Sequence, residues 1–253
     1  MSERLDKALV VLGLASTRSQ AQQFIDEGCV FYRGQKVQKA SLKVVLEELE
    51  VRKKVIYVGR GAHKIEGALH DFQVSVQDKV IADVGASTGG FTDYVLKNGA
   101  KKVFAIDVGH DQLAQSLRED SRVTNLEGVN IRNPLDLEEK VDLAVVDLSF
   151  ISLKLTLDSI VSLVKEDGDV ICLVKPQFEA GLERLGKNAI VKDQNIREEI
   201  LCELLFWCDN KGYFIKNAIR SPIVGGSGNI EYFFHIDKKL NKHAIDVNKF
   251  IDL

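Results

Sequence analysis

Val80-Ile-Ala-Asp83-Val-Gly85-Ala86-Ser87-Thr88-Gly89-Gly90-Phe91 is the stretch that decides the fold of this chain. An apolar, strand-like run (Val80 to Ala82) ends in an acid and a loop of small residues, and a helix-like run opens at Phe91. In an open α/β sheet this is where a nucleotide-type ligand binds, because small residues let the backbone approach it and the helix N-terminus offers free N–H groups. The glycines fall at 85, 89 and 90 and not at Gly-x-Gly-x-x-Gly spacing. A ligand without phosphates therefore fits better than a dinucleotide.

The rest of the chain supports a sheet around that loop. From Gly61 onward, short apolar runs alternate with helical ones. The strands expected are Val80–Val84, Val103–Asp107, Val123–Leu126, Leu143–Asp147 and Val170–Lys175. The helices expected are His63–Phe72, Phe91–Asn98, Leu113–Leu117, Leu153–Val164 and Ile196–Lys211. Tyr213–Ala218 and Glu231–Ile236 read as antiparallel strands at the end. Apolar strands bounded by turns and separated by helices imply a doubly wound sheet covered on both faces.

Composition narrows the function classes. With 253 residues, 45% hydrophobic and 28% charged, the chain can bury one large core or a medium and a small one. No apolar run reaches the roughly 18 residues that span a bilayer, and the first residues lack the apolar core of a signal peptide. A cytoplasmic protein is expected. Cys29, Cys172, Cys202 and Cys208 form no Cys-x-x-Cys pair and read as buried thiols. The five histidines show no ligand spacing, so no metal is expected. Residues 1–60 hold eleven Lys/Arg against seven Asp/Glu, leaving 23 against 30 for the rest. A basic start before an acidic body suggests that the first segment meets a polyanion, although a solvated surface reads equally well from charge alone.

That first segment has its own pattern. Leu5, Ala8, Leu9 and Leu12 share a helix face that Gly13 ends, and Thr17-Arg-Ser-Gln20 resembles a capping box opening a second helix to Gly28. Cys29–Tyr32, the turn Arg33-Gly34 and Gln35–Val37 form a hairpin, and Lys43–Lys54 completes the small sheet or links onward. Arg4-Leu-Asp-x-x-Leu9, Arg18-Ser-Gln-Ala21, Ile25-x-x-Gly28-x-Val30 and Gly34 together resemble an S4 RNA-binding domain. The boundary falls near Tyr57 to Arg60, giving an S4-like domain over 1–58 and a second domain over 59–253. The resemblance assigns RNA contact to Arg4, Arg18, Gln20, Arg33 and Lys36, driven by the backbone and sensitive to salt.

The glycine loop resembles motif I of the S-adenosylmethionine (SAM)-dependent methyltransferases, in the variant carried by FtsJ-like RNA 2′-O-methyltransferases. The resemblance implies a class I, Rossmann-like methyltransferase domain that binds SAM through Asp83, Gly85, Ala86, Ser87, Thr88, Gly89, Gly90 and Phe91. Asp83 reads as an organiser of the loop or a contact to the methionine end. Asp107, ending the next strand, is placed to accept hydrogen bonds from the ribose hydroxyls, and Asn130 is a candidate for the adenine edge. Asp147-Leu-Ser-Phe150 and Lys175-Pro-Gln-Phe-Glu179 end two further strands and so point into the same crevice. With Lys64 ahead of the first core strand and Glu231 opening a late one, the order Lys64, Asp147, Lys175, Glu231 resembles the Lys-Asp-Lys-Glu tetrad of ribose 2′-O-methyltransferases. In that comparison Lys175 holds the 2′-hydroxyl. Burial and Lys64 favour a neutral amine there, Asp147 and Glu231 an ammonium, so whether it also takes the proton stays open.

Taken together, these motifs resemble the TlyA family, an S4 domain followed by an FtsJ-like domain. The resemblance implies 2′-O-methylation of cytidine in ribosomal RNA, with a ribosomal subunit as the partner. By its length the chain is similar to the shorter members, which implies the large-subunit 23S RNA; the family resemblance also implies a link to capreomycin-type antibiotic sensitivity. Two departures are Gly59-Arg-Gly-Ala62, where many relatives read Ser-Arg-Gly-Gly, and the short termini. Two other function classes are weighed against this one: a non-catalytic RNA-binding or ribosome-assembly factor, and a membrane-active haemolysin, which lacks any cationic amphipathic helix to carry it. Oligomeric state is not legible.

Overall fold

A computed structural model describes residues 2–15, 17–26, 28–51, 57–186, 189–225 and 228–237. The chain divides into two compact units, Met1–Ile56 and Tyr57–Leu253.

In the first unit, β1 (Ser2–Arg4), α1 (Leu5–Val11), α2 (Arg18–Asp26), β2 (Val30–Tyr32), β3 (Gln35–Lys36), β4 (Lys43–Val45) and β5 (Leu49–Val51) follow in order. Leu5, Ala8 and Leu9 recur on one helical face and are buried with Ala21, Ile25, Val30 and Val44 in a small core. Thr17 Oγ1 accepts a hydrogen bond from the Gln20 N–H at 3.1 Å and caps the start of α2. Arg33 and Gly34 both take positive φ (53° and 75°), the backbone that a two-residue hairpin turn requires. β5 joins β2 and β3 in a three-stranded sheet. β4 instead pairs with β1, a strand the sequence pattern did not suggest. The end of the expected Lys43–Lys54 segment lies outside the described residues.

The second unit runs α3 (Gly61–Asp71), β6 (Val80–Val84), α4 (Gly90–Lys97), β7 (Lys102–Ile106), α5 (Gln115–Arg118), β8 (Val123–Leu126), β9 (Val141–Val146), α6 (Leu157–Leu163), β10 (Val164–Val174), α7 (Pro176–Glu179), α8 (Gln194–Lys211), β11 (Phe214–Arg220) and β12 (Tyr232–Asp237). Its sheet has the order β11-β12-β10-β9-β6-β7-β8. β10, β9, β6, β7 and β8 are parallel, and β12 lies antiparallel between β10 and β11. Alternation along the strands divides the core. Val80, Ala82 and Val84 face a cluster that includes Leu204 and Leu205 of α8, while Ile81 faces one that includes Ile65 of α3 and Val95 of α4. Helices therefore cover both faces, as expected for a doubly wound sheet.

Three expected elements change. α5 shrinks to four residues. The single helix expected over Leu153–Val164 splits into a 3₁₀ turn at Leu153–Leu155 and α6, because Ser152 caps that turn by accepting from the Lys154 N–H and Thr156 leaves helical geometry at φ −128°. Val164 then opens β10, whose register with β9 shifts between Val164 and Asp169. Cys202 is half-buried, whereas the other three thiols are buried as expected.

Phe233 of β12 is fully buried, with its ring 6.4 Å from that of Phe91. Phe233→Ala should cost about 3–5 kcal/mol, read from urea unfolding. A loss below about 1 kcal/mol would contradict the packing described.

Candidate active site

β6 and β9 are neighbours, yet the chain runs from β6 outward through β7 to β8 and from β9 outward through β10 in the other direction. The crevice beyond their carboxyl ends is the switch point where ligands bind in such sheets. The glycine loop fills one side of it. Gly85 stands at φ 86°, and a Cβ there would lie 2.5 Å from the carbonyl oxygen of Asp147, so only glycine lets the loop after β6 pass this close to the end of β9. Gly89, at φ 95°, caps α4.

The cleft beside the loop measures about 550 Å³, and Gly85, Ser87, Asp107 and Asn130 line it. Asp107 accepts hydrogen bonds from the Ser87 and Gly109 N–H groups, both at 2.7 Å. Asn130 Oδ1 accepts one from the Arg132 N–H at 3.1 Å. Other expected cofactor residues stand behind the cleft. Ala86 and Phe91 are core residues, Gly90 lies against the start of α3, and the Thr88 carbonyl accepts from the Ala114 N–H. With Gly89 they shape the loop and do not line the cavity.

Asp83 is fully buried at the end of β6. Its Oδ2 accepts from the Thr92 N–H (2.8 Å) and hydroxyl (2.6 Å), whereas Oδ1 has no partner. Burial pushes the carboxyl up to about 7; the Thr92 bonds oppose this, and the Asp147 and Asp107 charges add to it. A buried oxygen lacking a partner, a glycine cradle and a strand-end carboxylate on the next strand suit a nucleoside with a cationic amino-acid end. These residues fit SAM.

On the other side of the crevice two ion pairs stand at neighbouring strand ends. Lys175 is only 8% exposed and approaches Asp147 Oδ1 at 2.6 Å. Lys64 of α3 reaches Glu231 Oε2 at 2.6 Å, and Glu231 is 3% exposed. Val174 pairs with Tyr232, which puts Lys175 and Glu231 one step further along adjacent strands. Cys172 pairs with Val146, which brings Asp147 alongside. The four residues thus assemble as two cation–anion pairs at one end of the sheet.

Sequence reasoning gave no role to three residues here. Lys175 Nζ donates to Ser149 Oγ at 2.8 Å. Phe150 is 90% exposed at φ 63°, with its ring 5.0 Å from that of Phe178. Glu179 accepts from the Ser152 hydroxyl at 2.6 Å and the Leu153 N–H at 2.8 Å, tying the loop after β9 to α7, and burial raises its carboxyl above the usual range. The one available signal was the position of Ser149, Phe150 and Glu179 inside motifs that end strands.

In the first unit, the cations expected to face RNA are partly occupied. Arg4 and Arg18 both hold Asp6, at 3.1 and 2.5 Å. Their hydrogen bonds, that of Arg4 foremost, draw the Asp6 carboxyl down to about 2 against the effect of burial. Arg33 pairs with Glu48 at 2.6 Å. The arginines remain substantially exposed. Gln20 lies near the start of α2 and Lys36 on exposed β3.

The raised Asp83 carboxyl has a measurable sign. Its ordinary value is 3.8, so between about pH 4 and pH 7 the unfolded chain ionises this group while the folded protein keeps it protonated. Its contribution to stability is complete below that window and is lost as the pH rises through it. Asp83→Asn, which does not titrate, should therefore gain on the wild type by roughly 3 kcal/mol between pH 5 and pH 8 in urea unfolding. Parallel pH profiles would refute the assignment.

Residues 57–238 match the FtsJ-like methyltransferase family, and residues 3–49 match the S4 domain. The chain is 40% identical over 240 residues to "16S/23S rRNA (cytidine-2′-O)-methyltransferase TlyA" of Mycobacterium tuberculosis, covering 91% of this chain and 88% of the relative. It is 40% identical over 236 residues to "Hemolysin A" of Brachyspira hyodysenteriae, covering 92% and 98%. A solved structure from Streptococcus thermophilus, also named as a hemolysin, superposes with a TM-score of 0.73 at 39% identity, over 99% of this chain and 94% of that one. By sequence, domain order and fold, the chain belongs to the TlyA family of S4-bearing, FtsJ-like methyltransferases.

Proposed function

We propose that this protein transfers a methyl group from SAM to the ribose 2′-hydroxyl of a cytidine in ribosomal RNA. The observation that carries the proposal is the pairing of Lys64 with Glu231 and of Lys175 with Asp147 at adjoining strand ends, beside the glycine loop. The name of the Mycobacterium tuberculosis relative supports the substrate class.

A ribose hydroxyl is a weak nucleophile at neutral pH and must approach the methyl carbon in line with its bond to sulfur, so positioning dominates the task. SAM supplies an electrophilic methyl on a sulfonium when bound. Asp107, at the cleft wall, would take its ribose hydroxyls, and Asp83, buried with Oδ1 unpaired, would favour its cationic end. Lys175, held by Asp147, grips the 2′-oxygen, and Glu231, fixed by Lys64, forms the neighbouring wall. Phe150 and Phe178 offer aromatic faces beside Lys175, whose Nζ lies 5.8 Å from the Phe178 ring centre; such faces suit stacking of an unpaired base. Residues 1–58 serve as the RNA-binding domain through Arg4, Arg18, Gln20, Arg33 and Lys36, and a ribosomal subunit is the partner.

Among the described residues no helix is long and apolar enough to cross a membrane. The name hemolysin, carried by relatives, finds no support in such a helix.

Lys175→Met should retain SAM binding within about threefold by calorimetry and lose methyl transfer at least a hundredfold, the order expected when a positioning and proton-handling group is removed. Near-normal turnover would refute the role. Mapping ribose methylation across both ribosomal RNAs, in cells with and without the protein, should show a cytidine that depends on it and name the subunit. SAM binding with no such nucleotide would favour an assembly factor. For the first unit, Arg33→Ala and Lys36→Ala should each weaken binding across RNA sequences and lower the slope of log K against log salt by about 1. An unchanged slope would remove those residues from the interface.

A further inference from the structure

The nitrogen of Lys175 has two protein partners, and the tetrad accounts for one. Besides its ion pair with Asp147, Nζ donates to Ser149 Oγ at 2.8 Å. Asp147 and Ser149 both line the cleft, and the nitrogen lies directly behind them. The loop that carries Ser149 is built to hold it there. Phe150 adopts a left-handed backbone, φ 63°, directly after Ser149. Three residues on, Glu179 fixes the Ser152 hydroxyl and Leu153 N–H. The Phe150 ring packs against Phe178 of the segment that follows Lys175. The turn is thereby pinned at both ends to the segment that it serves.

One ion pair fixes the distance of a lysine nitrogen but lets its last torsions swing about the carboxylate. A counter-charge and a hydrogen-bond acceptor at two different loop positions triangulate it. We propose that Ser149 is a positioning residue for methyl transfer: its hydroxyl oxygen holds one N–H of Lys175, so that the one position left on the nitrogen meets the ribose 2′-hydroxyl. This rests on the proposal that the cleft is a 2′-O-methyltransferase site. For a neutral amine the constraint is stricter, since Ser149 claims one hydrogen, the Asp147 carboxylate stands 2.6 Å away, and the lone pair is left for the incoming hydroxyl. In that step the 2′-oxygen bonds to the methyl carbon while the carbon–sulfur bond breaks and its electron pair goes to sulfur. The hydroxyl proton passes to the Lys175 lone pair where the amine is neutral, and to water where it is an ammonium.

Ser149 is exposed, so its replacement should leave the fold intact. Ser149→Ala in the full chain, assayed on ribosomal RNA at saturating SAM, should lower kcat about tenfold, since small displacements of a reacting group are costly. The KM for RNA, the SAM Kd by calorimetry and the thermal midpoint should stay at wild-type values. Ser149→Thr, which keeps the hydroxyl, should restore at least a third of kcat, and Ser149→Cys, a weaker acceptor, should fall between. Wild-type kcat in Ser149→Ala, a parallel loss of SAM affinity, or no rescue by threonine would each overturn the role. If the wild type itself fails to methylate RNA, the methyltransferase proposal fails. If the wild type turns over and Ser149→Ala matches it, only the role of Ser149 falls.

Discussion

An ammonium group cannot be left alone at the end of a hydrophobic strand. Lys175 follows Val170-Ile-Cys-Leu-Val174, all of it buried, and is itself almost without exposure. Removing such an ion from water costs several kcal/mol, which only a close counter-charge and further hydrogen bonds offset. Asp147 and Ser149 provide them. One strand over, Glu231 faces the same difficulty with the opposite sign, and Lys64 resolves it. Because β-sheet register sets these strand ends side by side, the two pairs form one compact group of four charges with no net charge. Deleting Asp147 or Lys64 leaves the buried charge of Lys175 or Glu231 uncompensated, so stability and chemistry at this end of the sheet are properties of the same residues.

The glycine loop shares a wall with that group. Gly85 has no side chain to hold the Asp147 carbonyl away, and its backbone N–H donates to Ile106 of the adjoining strand at 2.8 Å. The cofactor side and the substrate side of the cleft therefore differ by one loop thickness. Asp83 sits deeper, where burial and two neighbouring carboxylates favour the protonated form. A cation placed beside its Oδ1 would draw it toward ionisation, so the pocket is better matched to a charged ligand than to none.

Much of this was legible because the apolar pattern had few alternatives. Four short runs of buried residues, each followed by a helical run, leave little besides a doubly wound sheet, and the motif-ending acids and lysines fall at strand ends by construction. Partnership was not legible. Nothing local says that Lys64 reaches a residue 167 positions away, nor that Ser149 faces Lys175, because a serine in a loop carries no periodic signal. The break at Thr156 and the start of β10 at Val164 were hidden for a different reason: helix propensity over Leu153–Val164 was overridden by the Ser152 cap and the Glu179 anchor. The pairing of Arg4 with Asp6 lay two residues apart in plain view; the expectation of cations facing RNA obscured it.

Electrostatics also separate the two tasks of the proposed function. Beyond the first sixty residues, acids outnumber Lys and Arg by 30 to 23. The lysines of the two ion pairs do not line the cleft and are neutralised by their own partners, whereas Asp107 and Asp147 line it. Such a cleft does not attract a polyanion by charge. Long-range capture of RNA then falls to the basic first segment, where exposed Arg33 is held by the surface carboxylate of Glu48, while exposed Arg4 and Arg18 share the buried Asp6. An exposed pair such as Arg33–Glu48 is weak and screened by salt, so phosphates can compete for its guanidinium group. Affinity should accordingly follow ionic strength, whereas the chemical step, enclosed among buried pairs, should be far less sensitive to it.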